Sequence, residues 1–122
     1  MHDHVIVVLG ASNKPDRFSN RAIRLLMEYG YHVIPVHPKL ENIEGLVVKH
    51  ALSNIAQQVD TLTMYIGCER SVKLIDEIVA MKPVRVIFNP GSECEALQSA
   101  LYNNGIPFVH DCTLVMLEQG RF

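Results

Sequence analysis

Five apolar runs of strand length, separated by stretches with helical periodicity, constrain this chain more than any other feature. Val5-Ile6-Val7-Val8-Leu9 is an unbroken, β-branched run, the pattern of a strand covered on both faces of a parallel sheet. Val33-Ile34-Pro35-Val36 is a second run, in which Pro35 removes a ladder donor and points to a strand end. Leu62 to Ile66, Val84 to Phe88 and the short Phe108-Val109 follow. Between them, Ala22, Ile23, Leu26 and Tyr29 lie at helical spacing with Gly30 as the stop. Val72, Ile75, Ile78 and Val79 repeat the pattern before Lys82-Pro83. The third helix carries Leu97, Ala100 and Leu101, opens on a capping box of Ser92 and Glu95, and closes before Gly105. Such alternation with short connections implies parallel strands and right-handed crossovers. The expected fold is α/β: an open, mainly parallel five-stranded sheet with helices on both faces and a small extra turn or strand around Leu46-Val47-Val48.

With 122 residues, the chain is expected to be a single domain over 1–122. A net charge of −2 lacks the excess of Lys and Arg that a general nucleic-acid binder carries. No apolar run approaches the ~18 residues of a membrane span. The start, Met1-His2-Asp3-His4, lacks the basic region of a signal peptide, so a cytoplasmic location is expected. Cys68, Cys94 and Cys112 are widely spaced and form no CxxC pair. They read as three free, semi-buried thiols rather than as a disulfide framework or a zinc site.

In open α/β sheets ligands bind beyond the carboxyl ends of the strands, where the strand order reverses. The loops starting at Gly10, His37, Gly67, Asn89 and His110 are therefore the ones that matter. A dinucleotide fingerprint needs glycines at 10, 12 and 15, but the chain has Gly10, Ser12 and Pro15. The second run ends Val36-His37-Pro38-Lys39, where an NAD site would place an acid. Lys39 suits a phosphate on the ribose better than a free diol. Lys14, Arg17, Arg21 and Arg24 add positive charge around the loop and first helix, with Ser19 as the expected N-cap. Arg17 and Ser12 read as anion contacts, and Arg21 and Arg24 as a solvated face.

The order Gly10-Ala11-Ser12, Ser19-Asn20, Gly30-Tyr31 and Pro35-Val36-His37-Pro38 resembles the CoA-binding domain family, small proteins similar to the CoA-binding domain of the succinyl-CoA synthetase α-subunit. That family commonly has Asn where this chain has His37. Gly45, Val59-Asp60, Asn89-Pro90-Gly91-Ser92-Glu93 and Cys112-Thr113-Leu114 extend the likeness from about Val5 to Leu117. The resemblance implies a Rossmann-like fold holding coenzyme A, or an acyl-CoA, across the strand ends. By it, Gly10, Ser12 and Asn13 face the diphosphate and Arg17, Phe18, Ser19 and Asn20 close over it. His37, Pro38 and Lys39 lie near the adenosine, with Lys39 at its phosphate, and Ile66, Gly67 and Cys68 line the nucleotide.

The synthetase's catalytic histidine lies outside the resembling region, so a non-catalytic carrier, sensor or partner subunit is the leading expectation. The alternatives are an NAD(P)-binding oxidoreductase-like protein and an acyl-CoA-processing enzyme using Cys112, with His110 as its base. His2 and His4 read as a frayed terminus, and His32 and His50 as surface residues. A protein partner or a homodimer is compatible with either reading.

Overall fold

The computed structural model describes residues 4–122. In chain order the elements are β1 (Val5–Leu9), α1 (Phe18–Glu28), β2 (His32–Val36), β3 (Asn42–Ile43), β4 (Leu46–Val47), β5 (Thr61–Met64), α2 (Cys68–Ser71), α3 (Ile75–Met81), β6 (Arg85–Phe88), α4 (Glu95–Asn103), β7 (Phe108–His110) and α5 (Thr113–Glu118). The main sheet has five strands in the order β2-β1-β5-β6-β7, all parallel. The extra strand expected near Leu46 is half of an antiparallel hairpin, β3 with β4. This is the expected Rossmann-like α/β architecture.

The continuous apolar run of β1 explains the layering. Val5, Val7 and Leu9 face one side, where they join Ile78 of α3 and Leu97 and Leu101 of α4. Ile6 and Val8 face the other, against Ile23 and Leu26 of α1 and Leu117 of α5. A strand buried on both faces has no polar side to alternate with.

Several local expectations are corrected. Pro35 sits within β2 rather than ending it, because β2 is an edge strand and a missing N–H on that side breaks no ladder bond. Its carbonyl instead accepts the Lys49 N–H at 3.0 Å. The stretch around Val72 to Val79 is not one helix: a 3-10 turn over Val72–Leu74 separates α2 from α3. The capping box does not form, since α4 starts at Glu95 with Cys94 as N-cap. Ser92 Oγ donates to the Asn89 carbonyl at 2.8 Å and closes the turn after β6. Ser19 lies inside the first turn of α1, whose N-cap is Arg17. His2 is outside the described residues, whereas His4 is tied down, its carbonyl accepting the His32 N–H at 3.3 Å.

The cysteine reading is also overturned. Cys68 and Cys94 form a disulfide, with Cα atoms 4.8 Å apart and a sequence separation of 26, while Cys112 is free. Spacing along the chain hides the pairing because β5 and β6 are neighbouring parallel strands whose carboxyl-end loops meet.

Candidate functional site

The chain leaves β1 towards β2 on one side and returns to β5 on the other, so the loops after β1 and β5 part and leave a crevice between them. Gly10 makes this crossing possible. Its φ is +91°, and a Cβ there would stand 2.8 Å from Ile66 Cγ2 and 3.0 Å from the Tyr65 carbonyl. Only glycine fits both the turn and the approach.

The loop between β1 and α1 is held by a fully buried residue, Asn20. Its Nδ2 donates to the Ser12 carbonyl at 2.9 Å and to Glu44 Oε2 at 3.2 Å. Its Oδ1 accepts from Arg24 Nε at 2.8 Å, and Arg24 Nη2 reaches the Pro15 carbonyl at 2.7 Å. Arg24, exposed as expected, is also a staple across the loop. Arg21 lies over the exposed Phe18 ring, 5.4 Å from its centroid. The amino end of α1 carries no acidic residue and no side-chain cap. Its first N–H groups and the positive end of the helix dipole therefore remain available to an anion.

Three cavities run along the carboxyl edge of the sheet. The first, about 350 Å³, is bounded by Val36, Pro38, His50, Arg70 and Lys73. The second, about 330 Å³, takes in Ser12, Arg17, Ser19, Arg70 and Gly91. Gly10 and Arg70 belong to both, so the two adjoin at the crossing. The third, about 160 Å³, is lined by Phe18, Tyr65, Asn89, Pro90, Cys112 and Leu114. It shares Phe18, Tyr65 and Pro90 with the second. Together they form a trough with an apolar nucleoside-sized end, a cationic middle and a narrow apolar end.

Among the residues singled out in the sequence, Gly10, Ser12, Arg17, Phe18, Ser19, Pro38 and Ile66 line the trough. Asn20 shapes it from beneath. Asn13, His37, Lys39, Gly67 and Cys68 do not line these cavities. His37 Nδ1 accepts the N–H groups of Lys39 and Leu40, each at 3.0 Å, and so shapes the turn after β2. Burial, followed by the charges of Arg70, Lys39 and His50, holds its pKa below the usual histidine value. Arg70, Lys73, Tyr65, Pro90 and Gly91 were missed. Their only signal was position: Tyr65 ends the third run just before Gly67, Arg70 and Lys73 come shortly after Gly67, and Pro90 and Gly91 follow Asn89.

Beneath the narrow end lies a buried polar cluster. Asn89 Nδ2 donates to Thr63 Oγ1 at 2.7 Å and to the Met64 carbonyl at 2.9 Å, and Asn89 Oδ1 accepts the Thr113 N–H at 2.8 Å. The Thr63 and Thr113 hydroxyls are 2.8 Å apart. The Tyr65 hydroxyl is shielded and finds no partner of hydrogen-bond geometry among the described residues. Burial pushes the Tyr65 phenol up to about 12, with the Thr113 and Thr63 hydroxyls pulling the other way. His110 is not paired with Cys112: its Nε2 lies 2.8 Å from Gln98 Nε2, and its ring stacks on Phe88 with centroids 5.2 Å apart. The His–Cys dyad considered from the sequence is therefore not assembled.

Several known proteins are similar to this chain in sequence or fold. An uncharacterized protein of known structure is 35% identical, with a TM-score of 0.87 and coverage of 100% of both chains. A Thermus thermophilus protein described as cell-free ID.343 is 29% identical, with a TM-score of 0.90 over 98% of this chain and 91% of that one. The uncharacterized protein YneT of Bacillus subtilis is 27% identical over 74 residues, 61% of this chain and 55% of that protein, so the match spans about half of that relative. A dinucleotide-forming acetyl-coenzyme A synthetase of Ca. Korarchaeum cryptofilum shares the fold, with a TM-score of 0.76 at 20% identity over 88% of this chain and 25% of the enzyme. The CoA binding domain family matches residues 4–118, nearly the whole sequence. The chain belongs to the CoA binding domain family.

Proposed function

We propose that this protein binds coenzyme A or an acyl-CoA along the trough and acts in the cytoplasm as a carrier, sensor or partner subunit rather than as an enzyme. The observation that carries the reading is the order of the cavities, apolar, cationic and then narrow and apolar. The first two are joined through Gly10 and Arg70 and the last two through Phe18, Tyr65 and Pro90. CoA has the same order: an adenosine, a diphosphate and a thin pantetheine arm ending in a thiol. The residues fit the group. The uncapped amino end of α1, Arg17 and Arg70 supply charge-assisted donors for the diphosphate. Pro38 and Val36 give the adenine an apolar wall, with Lys73 and His50 at its rim and Lys39 just beyond. The pantetheine arm passes Tyr65 and Pro90 and brings its sulfur towards Cys112.

The surroundings of Cys112 support the non-catalytic part of the reading, since His110 is engaged with Gln98 and Phe88. The reading is tested by thermal melts with CoA and with NADH at equal concentration, together with the mass of any nucleotide released on mild denaturation. Ligand at 100 times its dissociation constant stabilises by about 2.7 kcal/mol, a readable shift for a domain of this size. CoA should raise the melting temperature and NADH should not. A shift with NADH alone removes the assignment.

A further inference from the structure

We propose that the Cys68–Cys94 disulfide is a thiol-exchange site that latches the wall of the trough, so that nucleotide affinity depends on its redox state. The inference rests on the CoA reading above and adds a form of regulation to it. Cys68 opens α2 immediately after Gly67, and Arg70, which belongs to both larger cavities, lies two residues further on. Cys94 is the N-cap of α4, just after Gly91 and Ser92, which also line the cationic cavity. The disulfide therefore ties the segment that presents Arg70 to the turn that carries Gly91 and Ser92. The other bonds of that turn do not reach the Arg70 segment. Glu93 accepts the Gly91 N–H at 3.0 Å, and the Asn89 carbonyl accepts the Ser92 N–H at 3.0 Å and the Ser92 hydroxyl at 2.8 Å. The Asn89 side chain anchors the base of the turn to β5 and α5.

The two sulfurs differ in access. Cys94 is 2% exposed, while Cys68 is only partly covered by the core. A thiolate from solvent reaches Cys68 Sγ first. It forms a new S–S bond to Cys68 and expels Cys94 as the thiolate, which then takes up a proton. A second thiol attacks the incoming sulfur of the mixed disulfide and frees Cys68, leaving two protein thiols and one small-molecule disulfide. The two electrons come from the two small thiols. Cys94 leaves at the amino end of the nine-residue α4, where the helix dipole favours an anion. In a thiol-rich cytoplasm such a bond is made and broken rather than permanent, the behaviour of redox-sensing disulfides.

Opening the latch leaves the fold in place but lets Arg70 and the Gly91 turn separate. If the binding arrangement is then populated about a tenth of the time, apparent affinity falls about tenfold. The test uses the full chain purified without reductant. Alkylation in denaturant followed by mass measurement counts free thiols, one per chain being expected before reduction and three after. Titration calorimetry then compares the oxidised protein with protein reduced by a phosphine. The ligand is desulfo-CoA, which has no thiol and does not itself open the bond. The expected result is at least about tenfold weaker binding after reduction, reversed on reoxidation. Cys94→Ala should bind like the reduced protein, and if it fails to fold, the phosphine comparison decides alone. Equal affinity in both forms, with only the melting temperature lowered, makes the bond a stiffener and overturns the latch while leaving the CoA reading intact. Three thiols before reduction, or tighter binding after it, also overturns the latch. No binding by either form removes the CoA reading, and the latch with it.

Discussion

Gly10 and His37 show how unequally single residues reveal their roles. Gly10 was legible because a glycine straight after a buried strand implies a turn that other residues resist. The structure adds the reason, a Cβ that would press on Ile66 and Tyr65. Gly10→Ala should therefore destabilise the fold by about 1–3 kcal/mol, through left-handed strain and the close approach together. Urea unfolding measures this, and a loss below about 0.5 kcal/mol, the scale of an ordinary surface change, would show that the crossing relaxes without effort. His37 was legible as a strand-end residue on the adenosine side and as a departure from the family's usual Asn, but not as the acceptor that shapes a turn. Its ring nitrogen accepts two backbone N–H groups, the service an Asn side-chain oxygen performs in a turn. Protonation removes that acceptor, and the folded-state pKa lies below the usual value. His37 thus contributes stability in full above about pH 6.5, and the contribution is lost as pH falls through the lowered folded value. The Glu93 and Asp111 carboxyls, held low by backbone N–H groups and by Arg121 respectively, lose their contributions only in more acidic solution. His37→Asn keeps an acceptor without the titration. Its melting temperature should fall less than that of the unaltered protein between about pH 7 and pH 5.5, a window set by the histidine pKa. Equal slopes would assign the pH dependence to another group.

At the scale of elements, the strands and their layering could be read from hydrophobic runs, whereas the ends of the helices could not. A run such as Val5–Leu9 is dictated by burial on both faces, a constraint that acts on every residue in it. A helix start depends on one or two side chains that have competing uses. Ser92 had the spacing of a capping box, yet its hydroxyl closes the turn after β6, and the cap passes to Cys94. Arg24 had the pattern of a solvated face, yet its guanidinium spans from Asn20 to Pro15. Asn89 illustrates what replaces local signals. It ties the ends of β5 and β6 to the start of α5 through bonds that no periodicity announces. Asn89→Ala would leave the Thr113 N–H and the Met64 carbonyl buried without this partner. The expected loss is about 2–4 kcal/mol, since each orphaned buried group costs roughly 1–3 kcal/mol. Denaturant unfolding measures it, and a loss near zero would mean that the cluster is rewired by water.

Across the whole molecule, the sequence pointed to an anion site at the end of the first strand and to the carboxyl edge as its place. It did not show which cations face the trough, because that depends on how α2 and the 3-10 turn that follows it leave the end of β5. Lys39 had the better position in sequence, directly after β2. In the fold its side chain is exposed beyond the adenosine-sized cavity, while Lys73 and Arg70 stand on the cavity wall. These placements separate three roles by one comparison, CoA against dephospho-CoA, which lacks the adenosine 3′-phosphate. Arg70 borders both larger cavities, so Arg70→Ala should weaken the two ligands alike. Lys73 borders only the adenosine end, so Lys73→Ala should weaken CoA and spare dephospho-CoA. A hydrogen bond to a charged group is worth about 1.5–3 kcal/mol, so each affected affinity should fall roughly 10- to 150-fold. Lys39→Ala should change either ligand by less than about threefold, the scale of a charge separated from its partner by solvent. Titration calorimetry of the three variants against both ligands decides among them. If Lys39→Ala alone removes the preference for CoA, the 3′-phosphate lies on the β2 side of the rim and Lys73 is only background charge. If Arg70→Ala spares both ligands, the diphosphate does not sit at the Gly10 crossing, and the trough must be divided in another way.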